Sequence, residues 1–92
     1  MIRTFRHKGL ARLFNADDPR GVQAQHRKRI TRILDLIDAA EGVEELQLPG
    51  YDLHPLKGNR SGHWSMKVSG NWRITFRFAE GDAHDVHLED YH

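Results

Sequence analysis

Apolar residues recur at two spacings, and the spacing changes once along the chain. Ile2-Arg3-Thr4-Phe5 predicts a short first strand. Over 7–15, Leu10, Leu13 and Phe14 stand at helical spacing, and Asp17-Asp18-Pro19-Arg20-Gly21 then stops the helix. A second, longer helix is predicted over 22–40. There Ile30, Ile33, Leu34 and Ile37 form an i, i+3, i+4, i+7 stripe, while Arg27, Lys28, Arg29, Arg32 and Asp35 take the other faces. Such a stripe needs an apolar surface to cover, which a sheet provides.

Beyond Gly42 a brief segment over 43–48 leads to the Pro49-Gly50 turn, and the period falls to two. Trp64, Met66 and Val68 alternate with Ser65 and Lys67. After Ser69-Gly70-Asn71, the residues Trp72, Ile74, Phe76 and Phe78 alternate with Arg73, Thr75 and Arg77, the pattern of a hairpin. Glu80-Gly81-Asp82 marks another turn, and Val86 and Leu88 then alternate with Asp85, His87 and Glu89. The predicted order is β-α-α-β-β-β. It describes one α+β domain spanning 1–92, with two N-terminal helices packed on one face of a three- to four-stranded, mostly antiparallel sheet.

Period two also divides the sheet chemically. With Trp64, Met66, Val68, Trp72, Ile74, Phe76, Val86 and Leu88 under the helices, Lys67, Arg73, Thr75, Arg77, Asp85, His87 and Tyr91 project from the other side. A cationic face rimmed by histidine and tyrosine suits a phosphodiester backbone. The solvated face of an ordinary antiparallel sheet also alternates Arg with Thr, so the pattern alone does not choose.

Composition narrows the classes. With 92 residues, 38% hydrophobic and 29% charged, the chain can bury one modest core. The net charge of +1 conceals blocks: 1–34 hold nine Lys or Arg and two acids, and 35–56 hold six acids and no Lys or Arg. Residues 57–78 then hold five Lys or Arg and no acid, and 79–92 hold five acids and no Lys or Arg. Such blocks fold into a basic face for a polyanion or neutralise one another across the surface. The absence of cysteine excludes disulfides, thiolate metal sites and cysteine nucleophiles. No apolar run approaches the ~20 residues that span a bilayer, and the first residues lack a signal-peptide core. A cytoplasmic protein with no membrane partner is expected.

Several segments together are more specific. Leu53-His54-Pro55-Leu56-Lys57-Gly58, Trp64-Ser65, the run Val68-Ser69-Gly70-Asn71-Trp72-Arg73-Ile74-Thr75-Phe76, Gly81-Asp82-Ala83 and the terminal Asp90-Tyr91-His92 resemble the signature of HigB-type toxins. These are the plasmid maintenance system killer group of the RelE/ParE toxin superfamily, and Arg6-His7-Lys8-Gly9-Leu10 matches as well. The resemblance covers essentially the whole chain. It implies a RelE-like fold and a toxin of a type II toxin–antitoxin system. The implied activity is that of a ribosome-dependent endoribonuclease cutting messenger RNA in the A site by metal-free 2′-OH attack, without a cofactor. The implied partners are the ribosome, the message and a helix-turn-helix, HigA-like antitoxin, with operator DNA reached only through that antitoxin. Carried over position by position, the resemblance makes His54, Lys57, Asn71, Arg73, Asp90, Tyr91 and His92 catalytic or RNA-contacting. The turn before Asn71 departs from some relatives, since Ser69-Gly70 supplies no charge there.

The residues can perform this chemistry. Cleavage without a metal needs a base for the 2′-OH, positive charge for the phosphorane and an acid for the 5′-oxygen. Arg73 can grip the phosphate through two N–H groups, and Lys57 can add a point charge. Asp90 or His92 can serve as base and His54 or His92 as acid, and the residues leave that choice open. Tyr91 can stack on a base or orient the 2′-OH, and Asn71 can read a base edge or serve the hairpin turn. Lys67 and Arg77 extend the cationic face toward RNA, and Arg27, Lys28, Arg29 and Arg32 give the second helix a basic surface for ribosomal RNA. No metal is expected, because His84 and His87, three apart on a strand, would face opposite sides. The competing reading is a ParE-like toxin that inhibits DNA gyrase on the same fold without cutting. The His54–Lys57 loop and the Asp90-Tyr91-His92 terminus favour the nuclease, because a pure binder needs no convergent acid, base and charge. They also disfavour a catalytically dead operator-binding regulator.

Overall fold

In the computed structural model, which describes residues 1–90, helices α1 (Lys8–Ala16) and α2 (Arg27–Ala39) precede all four strands. These strands are β1 (His54–Pro55), β2 (His63–Ser69), β3 (Trp72–Ala79) and β4 (Asp82–Asp90), and they form one antiparallel sheet in the order β1-β2-β3-β4. Both helices lie on one face, where Leu10, Ile30, Ile33 and Ile37 meet Met66, Ile74, Phe76 and Val86, all buried. Each such side chain contributes roughly 1.5–3 kcal/mol on leaving water. Among the described residues no helix is long and apolar enough to cross a membrane.

The observed order, α-α-β-β-β-β, departs from the expected β-α-α-β-β-β at both edges of the sheet. Residues 2–5 form no continuous strand. Ile2 and Phe5 make isolated parallel bridges to Ala83 and Val86, because β4 bulges between them. Asp85 there has φ 56°, and its N–H donates to the Thr4 hydroxyl oxygen at 2.8 Å instead of to a ladder carbonyl. At the opposite edge, β1 is too short to give a period, and its Pro55 is tolerated because an edge strand can spare a donor.

The bulge also reverses one expectation about the histidines. His84 pairs with Arg77 and His87 with Thr75, so the two histidines share the face turned away from the helices. They do not face opposite sides, because the extra residue at Asp85 shifts the alternation by one.

The second helix begins later than expected. Val22 is extended and buried, and Ala24–His26 form a 3₁₀ turn before α2 starts at Arg27. The connection from α1 packs so closely that a Cβ on Gly9 would lie 2.4 Å from the Gly21 carbonyl oxygen.

From α2, Arg29 ties the helix to the loop before β1. Its Nε and Nη2 donate to the Lys67 carbonyl at 3.1 and 2.8 Å, Nη2 also reaches the Gly50 carbonyl, and the guanidinium lies 4.4 Å from the Tyr51 ring centre. This arginine positions the chain entering the site.

Candidate active site

Although they point away from the helices, Ser65 and Thr75 are each only 1% exposed. The face opposite the helices is therefore not an open plain. Side chains from 52–60 reach across it, and two linked clusters result.

The first centres on Arg73. Its Nε donates to Ser65 Oγ at 2.8 Å, its Nη1 to Asp52 Oδ2 at 3.2 Å and its Nη2 to the Asp52 carbonyl. Asp52 offers both groups because its backbone turns through φ 50°. His54 stands beside it, with Nδ1 3.2 Å from the Asp52 carbonyl oxygen and 3.2 Å from Oδ1. With Nδ1 held toward Asp52, Nε2 is free of these contacts and can exchange a proton with a bound group. Asp52, His54, Pro55, Leu56, Ser65 and Arg73 line a cleft of about 270 Å³. A fixed guanidinium beside an imidazole, with three of five donors occupied by Asp52 and Ser65, can hold an anion and move a proton next to it.

The second cluster lies across β3. Thr75 Oγ1 donates to Glu89 Oε2, and Arg60 donates from Nη1 to Oε1 at 3.0 Å and from Nη2 to Oε2 at 2.5 Å. These bonds, led by those of Arg60, hold the Glu89 carboxyl down at about 2.

Residues 3–92 match the family described as the RelE-like toxin of the type II toxin–antitoxin system HigB. The chain belongs to the HigB family. It is 51% identical over 92 residues, covering 100% of this chain and 100% of that one, to Endoribonuclease HigB of Proteus vulgaris. It is 27% identical over 93 residues to Toxin HigB-1 of Vibrio cholerae, covering 99% of this chain and 98% of that one. Its fold resembles that of a YafQ mutant from E. coli, with a TM-score of 0.62 at 14% identity over 96% of this chain and 89% of that one. Membership in a type II system implies an antitoxin partner for this toxin.

Within this HigB-family chain, His54 and Arg73 share the cleft, and Lys67 is exposed on the same face, opposite Arg73 in register. Lys57 is exposed at the start of the 3₁₀ turn Gly58–Arg60, and Asn71 is exposed in the β2–β3 turn, where Gly70 supplies the positive φ of 55°. Arg77 is set apart. It lies four residues along β3 from Arg73, about 13 Å, and its Nε is 3.6 Å from Asp85 Oδ2. Asp90 pairs in register with Trp72, on the helix side of the strand end, so Glu89 and not Asp90 stands opposite Arg73. The expected roles of Tyr91 and His92 fall outside the described residues. Of the basic residues on α2, Lys28 and Arg32 are exposed, whereas Arg29 is bound as above and Arg27 Nε donates to the Val22 carbonyl at 3.2 Å.

Sequence reasoning missed Asp52, Ser65, Arg60 and Glu89. Period two places Ser65 and Glu89 on the Arg73 face, a usable signal. Asp52 and Arg60 sit in irregular chain with no period to read.

Acid sensitivity follows from a histidine pair at the edge of β4. The His7 and His87 rings lie 5.8 Å apart, and His7 Nδ1 caps α1 by accepting the Leu10 N–H at 3.1 Å. Burial and then His87 lower the pKa of His7, and burial chiefly lowers that of His87, each below the ordinary 6.5. The unfolded chain then binds more protons, so this contribution to stability is complete above about pH 6.5 and is lost as the pH falls below it. Thermal melting is expected at a lower temperature near about pH 5.5 than near about pH 7.5. His7→Asn, a cap that does not titrate, should narrow the difference. Equal melting temperatures at the two pH values would refute the assignment.

Proposed function

We propose that this toxin is a ribosome-dependent endoribonuclease that cuts messenger RNA in the A site by attack of a ribose 2′-oxygen on the adjacent phosphorus. The observation that carries the reading is Arg73, braced by Asp52 and Ser65, in one cleft with His54. The full-length relative named an endoribonuclease supports it.

In the reaction, the 2′-OH, oriented by Tyr91, loses its proton to His92 as the new 2′-O–P bond forms, since Asp90 lies on the helix side of the strand end. Arg73, aided by Lys57, stabilises the charge on the phosphorane. The P–O5′ bond breaks, and His54 delivers a proton to the leaving oxygen, giving a 2′,3′-cyclic phosphate and a 5′-hydroxyl. No step calls on a metal or cofactor. Asn71 and Lys67 contact the RNA beside the cleft, and Arg77 contacts it farther along. Lys28 and Arg32 face ribosomal RNA, with smaller parts for Arg27 and Arg29. The antitoxin is of the helix-turn-helix, HigA-like class and carries the contacts with operator DNA, and the site of action is the cytoplasm.

Primer extension on messages from cells expressing the chain, run beside a plasmid supercoiling assay, tests this reading against gyrase inhibition. New 5′ ends inside reading frames with unchanged supercoiling are expected. Altered supercoiling without new ends would move the protein to the gyrase-inhibiting class.

A further inference from the structure

We infer that the Arg60–Glu89 pair, seated on the Thr75 hydroxyl, is a positioning clamp that holds the His54–Lys57 loop at a fixed distance from the C-terminal strand. The inference rests on the nuclease reading above and adds two positioning residues to it. His54 and Lys57 stand on chain that its own ladder holds weakly. The β1–β2 pairing consists of His54 with Ser65 and Pro55 with Trp64, and Pro55 has no N–H to give. Gly58, at φ 70°, then leads into a single 3₁₀ turn. Most of 54–62 is exposed, Leu56 alone being buried.

What reaches from this loop to the far side of the sheet is Arg60. Both terminal nitrogens meet both oxygens of Glu89, 29 residues later in the chain and immediately before Asp90. A two-point contact between planar groups fixes orientation as well as distance. Glu89 lies opposite Arg73 in register, so the clamp closes directly beside the proposed phosphate site.

The setting separates this pair from an ordinary surface bridge. The carboxylates of this pair and of the Arg20–Asp18 pair are equally covered, at 22% exposed, but the Arg60 side chain is 29% exposed and that of Arg20 is 88% exposed. The buried Thr75 hydroxyl supplies a third anchor from the sheet itself. Charges withdrawn this far from water add little net stability over well-packed apolar residues, so the gain from keeping them lies in geometry. With its carboxyl held at about 2, Glu89 stays ionised and the clamp stays closed at any pH near neutrality.

The test uses the full chain with Arg60→Ala, Arg60→Lys, Glu89→Gln and the exchanged pair Arg60→Glu/Glu89→Arg. Cleavage is measured on ribosomes programmed with a defined message, and hydrogen exchange is followed at the amides of Leu56, Arg60 and Ser61. Arg60→Ala and Glu89→Gln should lower kcat by about 10- to 100-fold with little change in KM, the cost of a misplacement near 1 Å. The shape of the pH–rate profile should persist, because neither residue exchanges a proton with substrate. The exchanged pair should recover part of the loss, and Arg60→Lys, which keeps the charge and loses the fork, should fall between. Amide exchange in the loop should rise about tenfold while the melting transition stays cooperative. If Arg60→Ala does not fold, Arg60→Lys and Glu89→Gln carry the same comparison with side-chain volume retained. Unchanged kcat, a loss confined to KM, or a pH profile missing one limb would overturn the clamp. Parent protein that fails to cut programmed ribosomes would sink the nuclease reading, and the exchange measurement would still decide the clamp, with unchanged loop amides refuting it.

Discussion

Replacing Arg73 with alanine is expected to lower message cleavage on ribosomes by about 10²–10³-fold and to abolish growth inhibition. The magnitude is that of removing one preorganised charged donor from a developing oxyanion. Arg73→Lys should recover only a small part, since an ammonium cannot present two parallel N–H groups to a phosphate. Although it projects from the polar face, the Arg73 side chain is only 12% exposed and is braced by Asp52 and Ser65. Its removal therefore has a structural cost of about 1–3 kcal/mol from the polar partners left behind. The apolar core on the opposite face loses no contact, so the variant should still melt cooperatively. Measuring the melt together with the rate separates the two effects. A folded Arg73→Ala protein that cuts at the parent rate would refute the site assignment.

Ribosomes should accelerate cutting of the same message by several orders of magnitude. The structure points to weak grip outside the ribosome: His54 is 62% exposed, its loop has a two-residue ladder, and the net charge of the chain is only +1. Alignment of the 2′-oxygen, phosphorus and leaving oxygen must then come from the A site. Alignment of that kind contributes on the order of 7–11 kcal/mol in favourable cases. Because Arg27 and Arg29 are engaged with backbone carbonyls, Lys28→Glu with Arg32→Glu is the charge reversal that should weaken ribosome binding, most strongly at low salt, and flatten the salt dependence of that binding. A 2′-deoxy nucleotide at the cut should block cleavage in both settings. Comparable rates with and without ribosomes would exclude the ribosome-dependent mechanism.

Local pattern was enough for the two helices, the β2–β3–β4 meander and the division of the sheet into an apolar and a polar face. Ile30, Ile33, Leu34 and Ile37 can share a surface only on a helix, and Trp72, Ile74 and Phe76 only on a strand, so the spacing of a dozen residues settles each case. It also placed Arg73 on the polar face, and the family resemblance drew attention to His54. Other features depend on which segments become neighbours. The bulge at Asp85 needs Thr4 alongside, and the short β1 needs Ser65 and Trp64 to pair with. The bracing of Arg73 by Asp52 spans 21 positions and the Arg60–Glu89 contact spans 29, both from irregular chain with no period to read. Hydrophobic burial is legible along the sequence because it repeats with the backbone. Hydrogen bonds between single polar side chains do not repeat, and only the assembled sheet decides which of them form.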